Sequence, residues 1–287
     1  MTWRETPAAL PHSTPRFPFA DPRTTPMPDT LRDRLYSTEA IVLARRNLGE
    51  ADRIYDIFSV RSGRKSIIAK GARKAESRNG RSLDLLNRVV VHLYRGRSLD
   101  GVRGVETVAT HPGLRDGLQA FAAASYLADL VRVMTQEDEP NERVYALLAE
   151  TLALLSDGVD PWSLTRYFEY AFLEASGFQA QLHECPTCRE AITEQANAFS
   201  VREGGVICPR CRASDPGAVA LSVNAQKYLR TMQRDGLRRL LSLQLDEASR
   251  QQVERALTDY VQHIAERPIG SLAVLHALQL KAPDPRP

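Results

Sequence analysis

At 287 residues the chain has room for about two domains and a substantial buried core. Its 43% hydrophobic and 25% charged residues are ordinary for a globular protein; no window offers the roughly 18 consecutive apolar residues of a membrane-spanning helix, and the N-terminus lacks the charged start and apolar core of a secretory signal. The net charge of +3 conceals two opposed blocks, because residues 41–103 hold fifteen bases against six acids (+9) and residues 104–181 hold four against twelve (−8), a division that predicts a nucleic-acid-binding module followed by a segment with another task.

Residues 1–30 contain seven of the seventeen prolines and no amphipathic period. Such a stretch reads as a disordered leader, with Met27 as a second plausible start. From about 38 to 110 the texture is β. "EAIVLARR", "ADRIYDIFSV", "RKSIIAKG", "NRVVVHLYRG" and "SLDGVRGVETVAT" are short runs rich in Val, Ile, Tyr and Phe, separated by turn signals at Asn47–Gly49, Ser62–Gly63, Asn79–Gly80 and Arg95–Gly96. Alternation is plain in Val89, Val91 and Leu93 against Val90, His92 and Tyr94. Five strands in this length suit a small barrel over 36–112, of the oligonucleotide-binding (OB) type, although the pattern alone also permits an SH3-like barrel.

From 113 the period becomes helical. One apolar face runs from Leu114 to Met134, and Asn141 precedes a helix that stops near Gly158. Asp160 caps a third with Pro161 in its first turn and Gly177 at its end. The helical segment 113–181 resumes as 214–280, where Ser222, Asp246 and the run "SLAVLHALQ" mark three more helices. The expected fold is therefore α+β and multidomain: a five-stranded OB-type barrel, then a helical domain interrupted at 182–213 by a cysteine element.

All four cysteines lie in that element. Cys185 and Cys188 form one C-x2-C, and Cys208 and Cys211 form another after nineteen residues, a spacing within the four-thiolate zinc pattern. Gly204 and Gly205 predict a hairpin between the two pairs. A closed four-sulfur Zn2+ site leaves no open coordination position, so the predicted role is structural. A redox dithiol would need only one pair and a thioredoxin-like surround, and His183 nearby reads as ordinary surface.

The basic block concentrates in Arg61, Arg64, Lys65, Lys70, Arg73, Lys74, Arg78 and Arg81, eight cations with Glu76 as the single acid among them. Like charges repel, so folding alone gives no reason to gather them, and Arg suits bidentate phosphate contacts. Gly71 and Gly80 permit close backbone approach, while Tyr55, Phe58 and Tyr94 are candidate stacking faces, with a core role the commoner fate of Phe58. The pattern predicts backbone-driven, sequence-tolerant DNA binding. Two rival readings exist. Glu50, Asp52 and Asp56 invite a two-metal nuclease, but they sit among Arg45, Arg46 and Arg53 with no second acidic or histidine motif. A zinc-ribbon regulator would prefer one DNA sequence. Phosphate-loop, H-E-x-x-H and G-x-S-x-G motifs are absent, and no active site is predicted.

The stretch "EAIVLARRNLGEADRIYDIFSVRSGRKSIIAKGARKAESR" closely resembles the N-terminal signature of the bacterial RecO family, and the likeness continues through "LYRGRSL", "VETV", "AAASYLADLV", "NERVYALLAETLALL" and "FEYAFLEASGFQAQLHECPTC". It covers about 38–211 well, the last helices loosely and residues 1–30 not at all. The resemblance implies a non-enzymatic, cytoplasmic, nucleoid-associated recombination mediator of the RecF pathway. Such a protein binds single- and double-stranded DNA, anneals complementary strands and, with RecR, helps RecA replace single-stranded-DNA-binding protein (SSB). It points to Lys70, Arg73 and Lys74 in the A-K-G-A-R-K match as the foremost DNA contacts. Some members lack the cysteines, so zinc here would serve stability. An acidic, apolar SSB tail docking among the helices would need local cations, for which Arg132 and Arg166 are the candidates, whereas Tyr126, Leu127, Leu130, Val131, Tyr167, Phe168 and Phe172 read as core.

Overall fold

The computed structural model describes residues 34–279; the leader expected at 1–30 lies outside them. Strands β1 (Leu35–Leu48), β2 (Asp52–Ser59), β3 (Gly63–Ala69), β4 (Arg88–Tyr94) and β5 (Asp100–Ala109) form a ring in the order β1-β2-β3-β5-β4, with β4 returning to β1. β3 pairs with β5 rather than with β4, which rules out a simple meander and gives the Greek-key OB arrangement. The β3–β5 seam is parallel and only two pairs long, Ile67 with Asp100 and Ile68 with Gly101, leaving most of β5 unpaired on that side. Alternation sets the inward face: Val89, Val91 and Leu93 are fully buried with Val42, Tyr55, Ile57 and Ile67. Tyr55 and Phe58, both at 0% exposure, are therefore core residues and offer no stacking face. Tyr94 lies across Gly101, where a Cβ would overlap its ring.

Between β3 and β4 the basic segment folds on itself. Short helix α1 (Arg78–Ser82) takes up the Asn79–Gly80 pair that reads as a turn in the sequence. The Ser77 hydroxyl accepts from Gly80 N, and Gly80 sits so close to the Ala72 carbonyl that any Cβ would collide with it.

The helical body follows: α2 (Gly113–Asp116), α3 (Leu118–Met134), α4 (Glu142–Ser156) and α5 (Pro161–Ala175), then α6 (Val223–Leu240), α7 (Glu247–Ala265) and α8 (Gly270–Gln279). The capping residues act as their chemistry dictates. Asp160, Ser222 and Asp246 accept from Ser163 N, Ala225 N and Ser249 N, and Gly177 at φ +87 closes α5. In α6 the helix breaks at Gly236 (φ +71), a conformation that glycine adopts without strain. α3 is buried almost all round by α2, α4, α5, α8 and β1, as its Ala-rich apolar sequence requires. Ile41, Leu43, Phe58 and Leu86 of the barrel share the body's core, and Tyr145 on α4 donates to Glu39 at 3.0 Å. Barrel and body thus meet over a continuous apolar core.

At the centre of the body lies an ion pair absent from any apolar pattern. Arg166 and Glu169 on α5, one helical turn apart, are both at 0% exposure, with Arg166 Nη2 3.0 Å from Glu169 Oε1. Tyr126 on α3 donates to Glu169 at 2.7 Å, and Arg166 donates to Thr258 Oγ1 and the Glu254 carbonyl on α7. Arg166 is accordingly closed to any partner, which corrects its expected place in a docking groove: the guanidinium joins three helices from inside. Burial raises the Glu169 carboxyl from 4.5 to about 7, against the lowering influence of Arg166 and Tyr126. A carboxyl raised in the folded state stabilises fully below its unfolded value of about 4.5 and loses that contribution as pH rises through about 7. Glu169→Gln is expected to flatten the decline in chemical-denaturation stability over this window, a slope of at most about 1.4 kcal/mol per pH unit. A profile unchanged by the substitution would assign the titration to another group.

Candidate DNA interface and metal centre

β3 delivers the chain into residues 70–84 beside the β1–β2 turn. Gly71 N donates to Asp52 at 2.8 Å, Arg73 N to the Ala51 carbonyl at 2.9 Å, and Arg73 Nη1 to the Gly49 carbonyl at 2.6 Å. Lys74 N and Ser77 N close successive turns on Gly71 and Lys74 carbonyls. The segment is therefore held in one shape, and the cations on it face water: Lys70, Arg73, Lys74, Arg78 and Arg81 are all exposed, with no salt-bridge partner among the described residues. Asp84, at the end of the segment, holds Arg45 at 2.9 Å and Arg115 at 3.1 Å, drawing two further bases to it. Ordered, uncompensated and close to backbone, this group of charges suits a polyanion whose phosphates repeat.

Arg64 and Lys65 have a different setting. Arg64 donates through Nε to the Thr135 carbonyl at 3.1 Å and through Nη1 to Glu137 at 3.0 Å. Lys65 lies 3.0 Å from Asp138 and 3.4 Å from Asp100, whose carboxylate also accepts from Tyr36. Both bases are mostly covered, and acids some seventy residues downstream in the chain neutralise them.

The carboxylates of the nuclease reading are dispersed in hydrogen bonding. Asp52 accepts from Gly71 N and Asp56 from Ser66 at 2.7 Å, while Glu50 is exposed in the β1–β2 turn. Ser37, His92 and Glu106 line up at 2.7 Å and 3.0 Å across β1, β4 and β5; on an open sheet surface they form a cross-strand polar ladder.

Among the described residues, one group of three or more metal-capable side chains comes together: Cys185, Cys188, Cys208 and Cys211, with all four Sγ atoms within 4.8 Å of one another. A tetrahedron of sulfurs about 2.3 Å from Zn2+ has edges of about 3.8 Å, and Cys188 and Cys208 are 3.8 Å apart. The four sulfurs are thus gathered closely enough to hold one tetrahedral metal ion. Each knuckle is made by backbone. Cys185 N donates to the Glu190 carbonyl and Arg189 N to the Cys185 carbonyl, with Arg189 at φ +65, while Cys211 N and Arg212 N both reach the Cys208 carbonyl. The expected hairpin is β6 (Asn197–Ser200) with β7 (Gly205–Ile207), and a third strand, β8 (Val219–Leu221), flanks β6. Burial pushes the Cys185 thiol up, but backbone donors from Cys188, Cys208 and Thr187 outweigh it and bring the group down to about 6, so a thiolate forms readily there. From α6, Arg230 braces the element with hydrogen bonds of 3.0 Å to the Leu182 and Ile192 carbonyls. Neither this brace nor β8 carries a local sequence signal, since both depend on contacts distant in the chain.

Arg132, the other candidate partner contact, is paired at 2.6 Å with Asp129, which also accepts from Ser271 at the start of α8. Its side chain remains 39% exposed. No helix among the described residues is long and apolar enough to cross a membrane.

The chain matches two family descriptions in succession: "Recombination protein O N terminal" over residues 34–111 and "Recombination protein O C terminal" over residues 115–273. It is 37% identical over 245 residues to the DNA repair protein RecO of Roseiflexus sp., covering 85% of this chain and 86% of that protein. It is 34% identical to the protein of that name from Pelotomaculum thermopropionicum (84% and 94% covered) and 32% identical to that from Dehalococcoides mccartyi (85% and 96% covered).

Proposed function

The chain belongs to the RecO family of DNA repair proteins, and from that premise we propose that it acts as a recombination mediator whose barrel binds single- and double-stranded DNA through the phosphate backbone. The observation that carries this reading is the pinned 70–81 segment, with Lys70, Arg73, Lys74, Arg78 and Arg81 exposed together and unpaired with acids among the described residues. Contacts of this kind position a strand without reading its bases, which is what annealing arbitrary complements requires. In the proposed cycle the protein holds one strand, admits its complement and, with RecR, lets RecA replace SSB. Zn2+ held by Cys185, Cys188, Cys208 and Cys211 would fix the 182–213 element and leave the chemistry of DNA untouched, because four protein sulfurs fill its coordination sphere.

A strand-annealing assay on SSB-coated complementary oligonucleotides tests the proposal directly. The protein should accelerate duplex formation and leave labelled single strands intact in Mg2+ or Mn2+; strand cleavage would instead support the nuclease reading at Glu50, Asp52 and Asp56. For the SSB contact, Arg132 is the surviving candidate cation on the −8 block. Arg132→Glu is expected to weaken a fluorescent SSB tail peptide about three- to tenfold, as charge reversal at a partly exposed contact does, with bare-DNA affinity unchanged. Equal peptide affinity in the variant would place the tail elsewhere, with Arg234, Arg238 and Arg239 on exposed stretches of α6 next in line.

A further inference from the structure

The two cations that open β3 are already occupied: Asp100 of β5 reaches Lys65 at 3.4 Å, and one short segment supplies an acid to each of them. Residues 137–139, Glu-Asp-Glu, follow α3 and lie along the start of β3: Arg64 and Glu137 form a parallel bridge, and Asp138 N donates to the Arg64 carbonyl at 3.1 Å. Gly63 approaches the Glu139 backbone so closely that a Cβ there would overlap it. The backbone alone therefore seats the segment. Its acids are then aimed at bases, Glu137 at Arg64 (3.0 Å) and Asp138 at Lys65 (3.0 Å).

As glue these two ion pairs contribute little. Glu137 and Asp138 are 58% and 70% exposed, and pairs so wet are worth about 0–1 kcal/mol. Their effect on a passing polyanion is larger, since each base they neutralise is one fewer partner for a phosphate. β3 leads straight from these bases to Lys70: at about 3.3 Å per residue, Lys65 and Lys70 are about 16 Å apart along the strand. Strand alternation puts Arg64 on the face that Lys70 shares and Lys65 on the side of the inward-facing Ile67 and Ala69, so Arg64 is the covered base in line with the free cations at the end of β3.

We propose that Glu137 and Asp138 act as a built-in phosphate mimic, an acidic strap that occupies Arg64 and Lys65 and so limits the DNA track on the barrel to the 70–81 end of β3. DNA competes with the strap for the two bases, and the strap sets both the length of the track and its salt dependence. This inference rests on the barrel's proposed DNA binding.

Neutral isosteres separate charge from shape. Glu137→Gln keeps the side-chain volume, and Asp138→Asn tolerates the left-handed backbone at φ +59 at least as well as Asp. The double variant should bind oligonucleotides several-fold more tightly at low salt, with the slope of log K against log salt steeper by about 0.7 to 0.9 for each additional phosphate neutralised. The control is Glu142→Gln with Glu150→Gln, which removes two exposed acids of the same block without touching β3. Adding Arg64→Gln and Lys65→Gln to the strap variant should return affinity and slope to those of the wild type; should that quadruple variant melt early, Lys65→Gln added alone should remove part of the gain. The proposal is overturned if the strap variant gains no more than the control, or if its gain survives loss of both bases. Should the wild type itself bind without salt dependence, the DNA reading of the barrel falls, and the strap with it.

Discussion

Cys208→Ser protein, or wild-type protein stripped by a strong chelator, is expected to melt at least about 10 °C below the untreated chain. Structural zinc binds zinc-finger peptides with an apparent 10–16 kcal/mol, and because the site is absent from the unfolded chain this binding energy is folding energy. In a chain of this size even a few kcal/mol moves the melting temperature by several degrees. The structure adds a reason for the loss to spread: Arg230 ties the element to α6, Asn197 bonds Gln226 at 2.7 Å, and Phe199 packs edge-on to Tyr260 of α7. Substituting one thiolate leaves three sulfurs around a vacant corner and loosens the body behind them. Elemental analysis should find one zinc per chain in protein purified without chelator. A content well below one, or a melting temperature indifferent to chelation, would remove the metal from the account.

The features legible in the sequence are those that local chemistry determines. Val89, Val91 and Leu93 point inward because a strand alternates, and Asp160, Ser222, Asp246 and Gly177 end helices because their side chains or lack of one suit a terminus. The C-x2-C pairs announce their meeting because each turn presents two sulfurs by itself. What escapes such reading is long-range. Arg166 sits on α5 among aromatic residues and looks like a surface cation, yet Glu169, Tyr126 and Thr258 close around it from three helices. Arg64 and Lys65 look like part of the cationic run, but their acids arrive from residues 137 and 138, and for Lys65 from Asp100 as well. The strongly negative block, which reads as ill suited to DNA, supplies the very carboxylates that pair with two bases of the positive one. Charge totals per segment cannot reveal this, because they do not say which charges touch.

Replacing Lys70, Arg73 and Lys74 together by Glu is expected to lower DNA affinity about a hundredfold or more at low salt, by a similar factor for oligonucleotides of unrelated sequence. The uniformity matters as much as the size: phosphate contacts carry no sequence information, so their removal should not change any preference the protein has. The slope of log K against log salt should flatten by about 0.7 on a single strand and about 0.9 on a duplex for each phosphate no longer neutralised. Stability should change little, since all three side chains are exposed and none forms a salt bridge among the described residues. Arg73 is the exception to watch, because its guanidinium also holds the Gly49 carbonyl at 2.6 Å; Lys70→Glu with Lys74→Glu alone controls for a loosened turn. If the triple variant keeps the wild-type slope, the DNA lies on another surface. If only the variants containing Arg73→Glu lose affinity, the turn's shape rather than the charge of the segment governs binding.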